Sequence, residues 1–534
     1  MKKRLSLLLA GVMAISLLAG CGESGNGGSS ASKADNKTLK FGCTLFANGS
    51  LDPSMETNTA WHCMRAGISE SLFKFDDNMV AQPWLAESCD VSADHLTWTI
   101  KLKKDVKFSN GTPMTATKVK ESLDWVREQG KKDPKREKGA TAKKYLEYDA
   151  EVTANDAENT IVIKTKTAYL DIKGNLAQPV MAIINVSETK DFDHGIIATG
   201  PYALKEFKDN VGMDLVANTN YWDGKVPFEN VQVIFMQDAA AKANALKSGQ
   251  VDVVENISNA ADIKTIQDDS NFTVDVAPGV RTGFAYMNFK GVLANKELRK
   301  AILTAIDIES ICKSKTIGGL YTAGRAILPT SLKYGSEDIN KNDPYKYNVE
   351  EAKKILDAAG IKDTDNDGFR ELNGKNIELN YVSYESRLLN DFSDAHIQYL
   401  KEVGIKVVAK YGSSDDQWTK LTTGEYDLNN NNWNTVPTGD PEAFLANWYS
   451  KAEGNYCGYS NAEYDKLYEA FMKEMDITKR GDYVKQMQQI LVDDAVMIVD
   501  GYYNSSMAYS KNVKGVHINP IDFYWITNKI EPAK

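Results

Sequence analysis

"SESLFKFDDNMVAQPWLAESCDVSADHLTWTIKLKKDVKFSNGTPMTATKVKESLDWV", Ser69 to Val126, is the stretch whose reading decides the fold. Inside it, "LTWTIKLKKDVKF" (Leu96 to Phe108) alternates apolar and polar residues with period two, the pattern of a half-buried strand. "TIVIKTK" (Thr160 to Lys166) and "FENVQVIFM" (Phe228 to Met236) follow the same rule. Later the spacing turns helical. "NKELRKAILTAID" (Asn295 to Asp307) sets Leu298, Ile302 and Ala305 on one face. "NVEEAKKILDAAG" (Asn348 to Gly360) opens on an Asn cap and stops at Gly. "NAEYDKLYEAFMKEMD" (Asn461 to Asp476) and "YVKQMQQILVDDA" (Tyr483 to Ala495) read as amphipathic helices. Strand and helix alternate without a fixed repeat, which predicts an α/β protein with more than one lobe.

The chain has 534 residues, more than one hydrophobic core usually serves. Its formal net charge is −10, and removing Lys2, Lys3 and Arg4 takes it to −13. An acidic body argues against nucleic-acid binding, which needs a basic face. The N-terminus has its own logic. Three cations precede the apolar run Leu5 to Leu18, and small residues lead to Cys21, the layout of a secretory signal peptide. Leu18-Ala19-Gly20-Cys21 also looks like a bacterial lipobox, in which the cysteine is lipidated. The Gly/Ser-rich residues that follow then read as a flexible tether. Stable anchoring needs more than one acyl chain. No later apolar run approaches the ~20 residues of a membrane helix.

Chemistry-bearing motifs are scarce. Five cysteines follow Cys21, an odd number with no C-x-x-C and no zinc spacing, and read as isolated buried thiols. "DTDNDGFREL" (Asp363 to Leu372) resembles a calcium loop, but its twelfth position is Gly374 where a bidentate Glu is needed, so a polar turn is preferred. Five histidines are scattered singly. No nucleophile–base pair or carboxylate pair can be assembled, so no enzyme, no metal site and no cofactor is expected.

From Ser69 onward the chain resembles the peptide- and nickel-binding solute receptors of bacterial ABC importers. "ATGPYALKEF" (Ala198 to Phe207), "NTNYWDGKVPFENVQVIFMQDAAAKANALKSGQVDVV" (Asn218 to Val254), "ELRKAILTAIDIESI" (Glu297 to Ile311) and "GEYDLNNNNW" carry the resemblance in the family's order. It implies a type II periplasmic-binding-protein-like fold (cluster C), with two lobes around a ligand cleft plus an inserted subdomain. The implied division is a signal peptide at 1–20, the lipidated Cys21 with tether to 37, lobe I from 38–78, 199–288 and 499–534, the insertion at 79–198, and lobe II at 289–498. The crossovers would lie near Asn288 and Asp500.

The resemblance also nominates ligand contacts. Trp433, after the Asn429–Asn432 run, would border the cleft and offer a stacking face. Glu56, Trp61 and His62 lie in the N-terminal segment that usually lines it. Tyr286 and Asn288 sit at the expected crossover. Arg387 lies near the place where dipeptide receptors carry an arginine for the peptide carboxylate. Two departures stand out. Val436 replaces the aspartate that binds a peptide's amino group, and Met181 stands near the place of the nickel receptors' chelator-binding arginine. The expectation is a monomeric, extracytoplasmic receptor anchored to the membrane through Cys21. It captures an oligopeptide or dipeptide and delivers it to ABC permease subunits, with a nickel or other metal chelate as the alternative ligand.

Overall fold

The computed structural model describes residues 37–44, 49–55, 57–132 and 142–533. Cys21, most of its tether and Glu56 lie outside the described residues. β1 (Thr38–Cys43) leads to α1 (Thr57–Arg65). A separate four-stranded antiparallel sheet follows, entirely within 79–198. Its strands are β2 (Ala86–Val91), β3 (Thr97–Leu102), β4 (Glu151–Asn155) and β5 (Thr160–Lys164), in the order β2-β3-β5-β4, with α2 (Ala116–Lys132) packed on it. Trp98, Ile100 and Leu102 are buried, as the period-two pattern of this stretch requires.

The main sheet takes β1 together with β6 (Tyr202–Lys208), β7 (Gly212–Ala217), β8 (Asn230–Phe235), β9 (Val253–Glu255), β10 (Phe272–Met287), β11 (Glu378–Tyr384), β12 (Lys406–Gly412), β13 (Leu428–Asn434) and β14 (Met497–Ser510). Its order is β12-β11-β13-β10-β14-β9-β1-β8-β7-β6, and the short Tyr321–Thr322 segment also pairs with β14. The long strands β10 and β14 pair with each other and join the two halves of the sheet. β14 continues into the β9 side through Val253–Glu255, and β10 into the β13 side through Arg281–Met287. Their register shifts at Pro278/Arg281 and Gly283/Phe284. Gly501 in β14 has φ +134, and a Cβ there would come within 2.8 Å of the Thr322 carbonyl, so this step of the strand needs glycine.

Helices pack as their sequences predict. α3 (Lys296–Ala305) and α4 (Val349–Ala358) are capped by the side chains of Asn295 and Asn348. α5 (Leu389–Glu402), α6 (Ser414–Thr423) and α7 (Ala462–Phe471) follow. α8 (Ile477–Asp493) starts six residues before the amphipathic run at Tyr483, because Asp476 accepts from the Thr478 and Lys479 amides at 2.8 and 3.1 Å and sets the start there. The five cysteines after Cys21 are all free. Burial pushes the thiols of Cys63, Cys312 and Cys457 up to about 12, which keeps them inert.

Two of the quoted motifs close on one buried carboxylate. Thr199 Oγ1, Tyr221 Oη and Trp222 Nε1 donate to Glu70 at 2.9, 2.9 and 2.8 Å. Gly200 lies against the chain before Glu70, where an added Cβ would meet the Gly67 and Ile68 carbonyls at 2.3 and 2.6 Å. Burial pushes the Glu70 carboxyl up to about 7 despite its three donors. The folded state therefore holds this proton while the unfolded chain releases it. Stability from Glu70 is fully present below about pH 4.5 and falls as pH rises to about 7, by an amount on the order of 3 kcal/mol. Glu70→Gln keeps the shape and flattens this fall; thermal unfolding at pH 5 and pH 8 measures it, and an unchanged pH slope would exclude Glu70 as the source.

Candidate functional site

α1 presents Trp61, His62 and Arg65 from one turn. Arg65 is 1% exposed, and a charge buried this deeply needs a partner. It donates from Nε to the Asp522 carbonyl at 2.7 Å and from Nη2 to Asp522 Oδ2 at 3.1 Å. The other Asp522 oxygen accepts from Trp525 Nε1 at 2.6 Å, and the Trp525 ring lies 4.2 Å from the Arg65 guanidinium. The C-terminal segment is thus fastened to α1. His62 is buried edge-on against Phe235. Burial, then the Arg65 charge, lowers it to about 3, so the ring is neutral.

Arg281 interrupts the apolar course of β10 and is 8% exposed. Its guanidinium lies 5.5 Å from the Trp61 ring, which also receives Arg65 at 5.0 Å. Arg281 donates one hydrogen bond, from Nη1 to the Asn432 carbonyl at 3.1 Å. Burial, then the charges of Arg387 and Arg65, pull it down to about 9.

Arg387 and Leu388 both take positive φ, 45° and 62°, an uncommon conformation for two consecutive non-glycine residues. The turn is tied by Tyr321, whose hydroxyl donates to the Arg387 carbonyl at 2.7 Å and accepts from Asn432 Nδ2 at 3.0 Å. The Arg387 guanidinium lies 5.5 Å from the Tyr503 ring. Its Nε is buried without a hydrogen-bond acceptor, and the side chain makes no ion pair with any described residue. Asn432 Oδ1 is likewise buried without a donor. Helix α1, strands β10, β13 and β14, the loop after β11 and the C-terminal segment converge here.

Two nearby carboxylates among the described residues are committed elsewhere in the fold. Glu255 holds Lys242 Nζ at 2.6 Å; burial would raise its carboxyl, but Lys242 keeps it down at about 2. Asp500 is fully buried 3.6 Å from the neutral ring of His396, and burial pushes its carboxyl well above the usual carboxylate range.

The other nominated residues lie elsewhere. In the β10–β13 pair, Arg281 opposes Asn434 and Thr282 opposes Trp433, so Arg281 and Trp433 occupy opposite faces of the sheet. Trp433 packs against Phe284, Tyr286 and Trp418 at 5.9, 5.8 and 6.3 Å. Tyr286 is completely buried in that aromatic cluster, so its ring serves the core. Asn288 donates to the Tyr426 and Gly424 carbonyls at 2.8 and 3.2 Å and fastens the end of β10. Of the nominated residues, the structure links Trp61 and Arg387 through Arg281. Arg65, Arg281, Asp522, Tyr321 and Asn432 were not nominated. The available signal was Arg281 itself, a charge inside "VRTGFAYM".

Asp363, Asp365 and Glu371 bring carboxylate oxygens within 4.8 Å of one another. Asp363 and Asp365 accept from the Gly368 and Asp367 amides at 3.0 and 3.1 Å, and Glu371 from Thr364 at 2.9 Å, as a polar turn does. A cavity of about 720 Å³ along Val274–Pro278, Asp77–Met79 and Val516–Ile518 is lined by none of the arginines.

Comparison with known proteins identifies the family. Residues 80–456 match the model of bacterial extracellular solute-binding proteins, family 5 (middle), and the chain belongs to that family. Its relatives include the oligopeptide-binding protein AppA of Bacillus subtilis, 26% identical over 98% of this chain and 99% of AppA. The nickel-binding protein NikA of Staphylococcus aureus is 25% identical over 98% of each chain. The crystal structure of NikA from Brucella suis superposes with a TM-score of 0.81 at 22% identity, over 93% of this chain and 99% of that one. The fold is therefore the two-lobed, periplasmic-binding-protein-like α/β fold, and the chain is an extracytoplasmic solute-binding protein.

Asp522→Asn tests the anchor of the site. Asp522 has φ +67, which asparagine tolerates, so the change removes charge while keeping the backbone. Leaving Arg65 buried without its counter-charge costs about 3–5 kcal/mol, read by denaturant unfolding. A loss below about 1 kcal/mol would show that the pair does not hold the C-terminal segment.

Proposed function

We propose that this chain is the membrane-anchored solute receptor of an ABC importer, and that it captures an oligopeptide or dipeptide between its lobes for delivery to the permease. The single observation behind the ligand class is Arg387. A half-buried guanidinium whose Nε is buried with no acceptor among the described residues, held by its ring neighbour Tyr503 and its tied backbone, is suited to a peptide's terminal carboxylate. Trp61 lies beside it through Arg281, and Asn432 Oδ1 is free to accept a ligand N–H. The reading involves binding without chemistry, with lobe I taken as 38–78, 199–288 and 499–534, the insertion as 79–198 and lobe II as 289–498. Lipidation at Cys21 would keep the receptor beside its permease.

A second reading is favoured by one feature. NikA of S. aureus is named as nickel-binding, and the arginines here would suit a carboxylate-bearing chelator. His62 is buried against Phe235, so the metal would arrive with its own ligands.

The full chain in mild detergent is melted with a mixture of di- to pentapeptides, and separately with Ni²⁺ plus histidine. A ligand at ~100 times its Kd adds about 2.7 kcal/mol and raises Tm by several degrees. The peptide mixture is expected to raise Tm, and Arg387→Gln to abolish the rise. A rise that requires both Ni²⁺ and histidine would replace the peptide by a chelate.

A further inference from the structure

Three guanidiniums, those of Arg65, Arg281 and Arg387, meet one charged carboxylate, Asp522, and Asp522 is engaged by Arg65 and Trp525. Among the described residues, Arg281 uses one of its five N–H donors, and the buried Nε of Arg387 has no acceptor. The two are tied to the same pair of residues. Asn432 accepts from Arg281 through its carbonyl and donates to the Tyr321 hydroxyl, which donates to the Arg387 carbonyl. Each guanidinium also has an aromatic ring beside it, Trp61 for Arg281 and Tyr503 for Arg387; both feel the Asp522 charge, but neither forms an ion pair with a described residue.

Like charges held together repel, two of them buried and the third half-buried, and one carboxylate would neutralise half of the excess. The free donors on Arg281 and Arg387 are therefore a paired acceptor site. We infer that the cleft selects a ligand carrying two carboxylates close together at one end, such as a peptide ending in Asp or Glu. Arg387 takes one carboxylate and Arg281 the other. A cationic residue at the same place would meet uncompensated positive charge and be rejected. The peptide form of this inference rests on the proposed function, while the two-carboxylate requirement rests on the arginines alone. A free dicarboxylate, or its metal chelate, shares that chemistry.

Calorimetric titration of the full chain in detergent with Ala-Ala, Ala-Lys, Ala-Glu and glutarate separates the cases. Ala-Glu is expected to bind 10- to 100-fold more tightly than Ala-Ala, the worth of a charge-assisted contact, with Ala-Lys weakest. Arg281→Gln is expected to collapse the ratio of Ala-Glu to Ala-Ala toward one, and Arg281→Lys, which keeps the charge, to retain part of it. Far-UV circular dichroism confirms that both variants are folded. Equal binding of Ala-Glu and Ala-Ala by the parent chain overturns the inference and leaves the peptide reading standing. A preference that survives Arg281→Gln overturns the role of Arg281. Arg281-dependent binding of glutarate, or of glutarate with Ni²⁺, without any peptide binding would overturn the peptide reading and uphold the two-carboxylate site. No binding of any of the four, with or without Ni²⁺, overturns both.

Discussion

The pairing of β10 with β14 is the constraint on which the rest depends. Each strand is long enough to belong to both halves of the main sheet, so each half inherits its position from the same ladder. β10 carries Arg281, and β14 carries Tyr503 and Asp500. A side chain on these strands stands where the halves meet whatever the surrounding loops do. The register shifts at Pro278/Arg281 and Gly283/Phe284 bracket Arg281. Bulges of this kind re-aim side chains and increase local twist, and they concentrate beside functional sites.

Charge is the second organising principle. The body is acidic, yet its interior collects arginine. Arg65 is stabilised by a bidentate arrangement on Asp522, and Lys242 by Glu255. These pairs are structural, because each buried charge is matched, Arg65 by a residue 457 positions away and Lys242 by one 13 positions away. Arg281 and Arg387 lack such partners, and the strained turn at Arg387 and Leu388 holds one of them in place. Unpaired buried charge and local backbone strain both cost stability, and both persist where function requires them. Solvent-facing ion pairs elsewhere on the surface carry little weight by comparison.

Much of the architecture was readable from local patterns. Period-two alternation marked β3, β5 and β8, apolar spacing marked α3 and α7, and an Asn cap marked α4, because these signals are written within a few residues. The boundary of α8 was missed where the amphipathic run starts later than its Asp476 cap. The "TGPY" and "NYWDG" stretches have a structural cause in the Glu70 hydrogen bonds, which no local pattern states. Among the candidate ligand residues, Trp61 and Arg387 meet at one place, while Trp433 and Tyr286 lie across the sheet from Arg281. Periodicity tells which residues share a face of one strand. It does not tell which face looks toward the other half of the molecule.

The sequence by itself determined the α/β class, the capped start of α4, the acidic character, and the order of motifs shared with the solute-binding family. These follow from composition and short-range spacing. Only the tertiary structure decided that Arg65 is neutralised and that Arg281 and Arg387 are not. That distinction depends on residues 457 positions apart in one case and on a two-residue bridge, Asn432 and Tyr321, in the other. Electrostatic partnership is set by distances between remote segments, and those distances exist only once the β10–β14 ladder has formed.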